Sequence, residues 1–533
     1  MRKLIVAAFL ISSVCILSVE SVSQEKHEHA GGKPEKLGTV HFPVSCGDET
    51  QMQFDRAVAL LHSFWYSEAN KAFADIAKKE PNCAMAYWGI AMTLYHPLWE
   101  SPDSTSLRNG WAAILKAKAV GSPTDGERDY IAAIEVFYKD SDKLDHRARA
   151  LTYEKAMEQL YQKYPEDREA AIFYALALNG TALPTDKTFA NQKKAGAILE
   201  KVFSEQLDHP GVAHYIIHSY DYPPLASQAL TAARRYAKIA PSSPHALHMP
   251  SHIFTRLGLW QESIESNIAS ATAAKKNGLP GDQLHAMDYM VYAYLQGAQD
   301  REANRILEER NAILKYNPGS MAGSYAVVAI PARYAIERGQ WSDAALLEVG
   351  EGNPAMNAIT YFARGIGAAR SGDTLRARRN IEKLDKIHDA LIQTKNNYWG
   401  IQVAIQRRAV AAWLAHVEGK DDEALALMRS SAELESSTEK HPVTPGPIIP
   451  SRELVGDLIL ELHQPGQALQ EFETSLLASP NRFHGLYGAA KAAELSGDKE
   501  KATSYYTKLV EICSHADSNR PELREARASL TKK

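Results

Sequence analysis

Seven of the 19 histidines in this chain fall between residues 209 and 285, and their spacing suits a shared task. His214 and His218 are four apart, and His245, His248 and His252 follow an i, i+3, i+7 pattern, so each group occupies one face of a helix. His214 plus 34 is His248, and His218 plus 34 is His252. A further step of 40 takes His245 to His285, His248 to Asp288 and His252 to Tyr292. Three helices thus present one register. Neutral imidazole is a common ligand for zinc, copper and iron, and an i, i+4 pair aims two nitrogens at one ion. The expectation is a site in which His214, His218, His248 and His252 converge, with His245, His285 and Asp288 as further ligands. Asp221 would complete or orient the shell, unless it only caps the helix that begins at Pro223. The same residues also suit a polar groove for an anionic or peptide ligand, or a structural hydrogen-bond network. The His-Glu-x-x-His motif of metalloproteases is missing.

Such a register needs repeated helices. Across much of the chain a turn residue is followed five positions later by Ala, as in Gly339/Ala344, Gly372/Ala377, Gly419/Ala424 and Gly497/Ala502. A proline that ends the second helix comes twelve residues past the small residue at Ala69/Pro81, Ala229/Pro241 and Ala468/Pro480. Ala229 to Ser263 and Ala468 to Ala502 are both 34 residues, and the intervals of 40 and 41 that follow Ser263 make the array irregular. The fold class predicted is all-α, an α-solenoid of antiparallel helix pairs over 46–515.

Through these intervals, and through Pro465 to Pro480 and Gly485 to Ala502, the chain resembles the tetratricopeptide repeat (TPR) family. It also resembles exported bacterial proteins of that type through Phe64-Trp65-Tyr66, Ala86-Tyr87-Trp88-Gly89 and His248-Met249-Pro250-Ser251-His252. The resemblance implies a right-handed superhelix whose concave groove engages a protein, peptide or small ligand. It places the histidines at groove positions, outside the core. Tyr292, and Glu453 with Asp457 in a later repeat, fall at the same positions; that acidic pair either faces the histidines across a closed superhelix or is a solvated face.

With 60 basic and 64 acidic residues spread along the chain, no basic stripe marks a nucleic-acid partner. Met1-Arg2-Lys3 followed by the apolar run Leu4 to Leu17 reads as an export signal over 1–23, with a flexible lead-in at 24–45. The mature chain is expected to be periplasmic or secreted, since no later apolar run approaches the ~20 residues of a membrane span. Export permits disulfides, and Cys46 and Cys83, at the starts of consecutive repeats, are the expected pair. Helical spacing assigns Phe64, Trp65, Tyr87, Trp88 and Trp99 to packing between repeats rather than to a stacking platform. Residues 441–450, with four prolines, interrupt the array, either as a bridge between helix pairs or as a cover over the groove. The last stretch, 516–533, is a helix or tail. No phosphate loop, nucleophile elbow or dinucleotide fingerprint is present. The leading functional expectation is an extracytoplasmic binding protein with a histidine metal site in its groove. The alternative is a metal-dependent hydrolase or oxidoreductase.

Overall fold

The computed structural model describes residues 35–313, 319–350 and 352–531. The expected export signal and the lead-in as far as residue 34 lie outside them. Among the described residues every regular element is a helix, and none is long and apolar enough to cross a membrane. Successive helices pack as antiparallel pairs: Pro210–Tyr220 with Leu230–Ile239, Pro250–Leu257 with Trp260–Lys276, and Pro280–Gln296 with Asp300–Ile313. Ser451–Glu461 with Pro465–Ala478 and Phe483–Leu495 with Lys499–Ile512 continue the pattern. Ala229, Ser263, Ala303, Ala468 and Ala502, the small residues that set the period, are all buried where paired helices approach. The architecture is a tetratricopeptide-like α-solenoid.

The first helices of the histidine repeats start in a common way. Pro210, Pro244 and Pro280 each stand in the first helical turn, where the missing N–H is not needed. Ser243 Oγ and the His209 ring accept N–H groups of the first turn at two of these starts. Pro250 splits the middle helix into Pro244–His248 and Pro250–Leu257, because its ring cannot donate to the preceding turn.

Residues 36–45, expected as flexible, are instead docked. Leu37, Val40 and Phe42 are buried, and the Phe42 ring lies 5.6 Å from Phe54 and 5.4 Å from Trp88. Thr39 N–H donates to the Asp208 carbonyl at 3.0 Å. Three apolar side chains in six residues give the strip enough to bury, which the polar residues before it had obscured. Cys46 and Cys83 are joined by a disulfide at the adjoining helix starts. At the other end Pro521–Thr531 is a helix that buries Leu523 and Ala526.

The last repeats return to the middle ones. Trp260 Nε1 donates to the Asn481 carbonyl at 2.7 Å, and Arg482 Nη1 donates to the Tyr292 hydroxyl at 2.8 Å. Gly258, in the left-handed region at φ 66°, sits so close that a Cβ there would lie 2.4 Å from the Pro480 carbonyl oxygen. Neither expectation for the acidic pair holds. Glu453 is fully buried against Arg482 at 2.7 Å, and Asp457 pairs with His484 at 2.9 Å. Arg482 also binds Glu337 at 2.5 Å, so the acidic side chains close the array without reaching the histidines.

Candidate metal centre

Six of the expected residues come together, in a grouping that differs from the 34-residue pairing. His214, His218 and His245 form one trio and His248, His252 and His285 a second, and within each the ligand atoms all lie within 4.8 Å of one another. His214 Nε2 is 3.1 Å from both His218 Nε2 and His245 Nε2. In the second trio His248 Nε2 is 3.0 Å from His252 Nε2, and the His248 and His285 rings are 4.3 Å apart. Each trio is thus an i, i+4 pair plus one histidine from the following repeat. The residue opposite His214 on the next helix is His245, one turn before the equivalent position.

Asp288 is not a ligand. Its carboxylate accepts from Arg333 Nε at 2.8 Å, with both side chains fully buried. Arg333 in turn donates to the Pro447 carbonyl at 2.8 Å, the Gly446 carbonyl at 2.9 Å and Thr444 Oγ1 at 3.0 Å. Asp288 therefore orients the arginine that pins the proline-rich segment, whose prolines leave carbonyls free to accept. Tyr292 is likewise taken up by Arg482.

That segment covers the histidines. Tyr289, four residues after His285, donates its hydroxyl to the Thr444 carbonyl at 3.1 Å, and the same oxygen is 3.3 Å from His252 Nε2. Lys440 Nζ donates to Asp221 Oδ2 at 2.8 Å. His214, His218, His248 and His252 are consequently buried, although groove positions are ordinarily open. On the other side, Phe64 and Trp99 wall the first trio: the Phe64 ring is 4.4 Å from His214, and Trp99 is 5.9 Å from both His218 and His245. Helical spacing had placed both aromatics in ordinary packing. Trp88 does pack that way, while Phe64 adopts φ 52° just after its helix and is turned out toward the imidazoles.

Burial holds His214, His218, His245, His248 and His285 well below the ordinary imidazole range, and the neighbouring imidazoles push the same way. His252 is lowered too, burial outweighing the pull of Asp221. These rings are neutral, with one N–H each. In the second trio the position of that N–H is fixed. His248 Nδ1 donates to Asn267 Oδ1 at 2.6 Å, and the Asn267 amide is oriented because its nitrogen donates to the Ser263 carbonyl at 2.7 Å. His252 Nδ1 donates to Asp221 Oδ2 at 2.9 Å, and Asp221 is itself held by Arg256 at 2.8 Å. Both Nε2 atoms are therefore bare lone pairs facing each other at 3.0 Å, with no proton between them. In the first trio His214 Nδ1 donates to the His62 carbonyl at 2.6 Å, so its Nε2 offers one lone pair to two imidazole nitrogens.

A third cluster, His62, Glu169 and His209, escaped the sequence reading because its members lie far apart in the chain. Here the protons balance. His62 Nε2 and His209 Nε2 each donate to Glu169 at 2.8 Å, His62 Nδ1 accepts from the Tyr215 hydroxyl at 3.0 Å, and His209 Nδ1 accepts from Val212 N–H at 3.3 Å. Every polar atom has a partner, so this is a hydrogen-bond network that supports the His62 carbonyl behind His214.

The repeat architecture has counterparts among solved structures, at low identity. A tetratricopeptide repeat protein from Parabacteroides merdae is 14% identical, over 55% of this chain and 99% of its own, with TM-score 0.30. Human IFIT1, solved as a dimer with m7Gppp-AAAA, is 12% identical over 80% of this chain and 90% of its own, with TM-score 0.37. Yeast Tom70 is 10% identical over 90% and 95%, with TM-score 0.35. No family model matches the sequence, and no curated protein matches it. The fold assignment rests on the helix pairs themselves.

Proposed function

We propose that this protein is an exported metalloprotein that holds two first-row transition metal ions, one in each histidine trio. The observation that supports this most is the pair of bare Nε2 lone pairs of His248 and His252. Two buried acceptors 3.0 Å apart repel unless a cation lies between them. Imidazoles bound at 2.0–2.1 Å around a tetrahedral ion stand roughly 3.3 Å apart, close to the separations in both trios. Asp221 and Asn267, which fix the two Nδ1–H groups, are the outer partners that such ligands usually have. Export is supported by the first 17 residues and by the Cys46–Cys83 pair.

Three imidazoles leave a coordination position open at each ion. A cavity of about 250 Å³ reaches His218 and is also lined by Asn179, Tyr398, Lys440 and His441, with the His441 imidazole pushed down to about 4 by burial and by Lys440. This access favours action on a small molecule, as a metal-dependent hydrolase or oxidoreductase, over clamping a peptide at positions that the chain's own residues 441–450 occupy. The test is elemental analysis of protein purified without a histidine tag and then challenged with zinc, copper and iron. Retention of one or two ions per chain through dialysis is expected. Less than about a tenth of an equivalent of each would end the proposal.

A further inference from the structure

The two trios interlock. The Pro244–His248 helix sends His245 to the first trio and His248 to the second, three residues apart, and their rings are 6.2 Å apart. His218 of the first and His252 of the second are equally close, at 6.0 Å between ring centroids.

Charge is the second observation. All six ligands are neutral, so two divalent ions would bring four positive charges into a buried place. The carboxylates bonded to the cluster and its neighbours are already committed: Asp221 to Lys440 and Arg256, Asp288 to Arg333, Glu169 to His62 and His209. A buried charge must be compensated close by, and an anion from solution that binds both ions supplies this. The cavity that ends at His218 admits a small anion and is too confined for a folded partner.

We infer, on the reading that both trios hold metal, that they form one dinuclear centre whose ions share a small exogenous oxygen or nitrogen anion. At rest this is hydroxide, formed when a bound water gives one proton to bulk solvent, as cations close to a water favour. A shared anion lowers the charge felt at both ions at once, taking the centre from four positive charges to three and screening the repulsion between the ions, which an anion on one ion alone does less well. Tyr289, whose hydroxyl oxygen lies 3.3 Å from His252 Nε2, stands at the edge of this centre and limits the space for larger ligands.

Copper serves as the probe, since two Cu(II) ions joined by one anion couple their spins. The full-length mature chain, reconstituted with Cu(II), should retain two ions while its electron paramagnetic resonance signal integrates to far less than two spins. Azide should replace hydroxide and add a charge-transfer band in the near-ultraviolet or visible. His245→Ala should leave one ion and restore a full mononuclear signal, and His218→Ala should do the same if the first variant fails to fold. Two ions with an undiminished two-spin signal that azide leaves unchanged would overturn the shared centre while leaving the metal reading intact. Retention of a single ion by the unaltered chain would also overturn it, and retention of none would remove the metal reading itself.

Discussion

The two histidine trios are drawn from one repeat register yet stand in different surroundings. The second is polar and braced: Asn267 and Asp221 fix two of its rings, and Asp221 is tied to Arg256 and Lys440. The first is walled by aromatic rings, with Phe64, Trp99 and Tyr236 all within 6 Å of an imidazole centroid, and has a backbone carbonyl, His62 O, as the anchor of His214. Equal ligand sets in unequal shells should differ in affinity and access. A carboxylate partner raises the basicity of the ring it holds, so the second trio should bind its ion more tightly. The first, open to the cavity at His218, should exchange ligands more readily.

Removing a ligand should separate the trios most sharply. His252→Ala should weaken retention at the second trio by more than about 100-fold, beyond the range seen for outer partners, and His218→Ala should do so at the first; equilibrium dialysis against a chelator measures both. Equal loss from both trios in each variant would break the distinction in surroundings. Asp221→Asn comes next, with an expected ~10–100-fold loss confined to the second trio. If the first trio weakens as much, Asp221 acts through the fold rather than through His252.

Acidification should act on both trios of the metal-free protein. Their imidazoles are held below the ordinary value, so the unfolded chain binds more protons as pH falls below about 6.5. Folding stability is then full above that pH and declines below it. Denaturant melts at pH 7.5 and 5.5 check the sign, and a protein equally stable at both would mean that these rings are not neutral when buried. The smallest effect on the comparison should come from reducing Cys46–Cys83. This should cost about 2–4 kcal/mol of stability and leave the metal content of both trios unchanged.

The sequence made the repeat legible because small residues and prolines recur at fixed offsets, and period arithmetic was enough to single out all six clustered histidines, while Asp221 stood among them with its role left open between ligand, orienting group and helix cap. It grouped them wrongly. A period gives equivalent positions, whereas contact depends on how one helix slides against the next, and here the slide of one turn brings His245, not His248, opposite His214. Asp288 was misread for a related reason: its partner Arg333 belongs to a later helix, and nothing in the local pattern says which buried charge it will meet. Tyr289 could have been found, being four residues past His285. The placement of Lys440 against Asp221 and of Phe64 against His214 could not, since each pair is more than a hundred residues apart in the chain.

An ordinary helical repeat array touches only its neighbours along the chain, so it can fold piece by piece and fray from either end. The contacts of Trp260 with Asn481, of Tyr292 with Arg482 and of Asp221 with Lys440 span about 190 to 220 residues and remove that freedom. Synthesis must pass residue 482 before the middle repeats acquire their last partners, so the histidine cluster is assembled late, from a nearly complete chain. Loss of the final repeats would then be felt at the histidines as loss of their cover. Hydrogen exchange should show the 441–450 segment and the histidine helices opening together, as a single cooperative unit within a fold whose sequence looks modular.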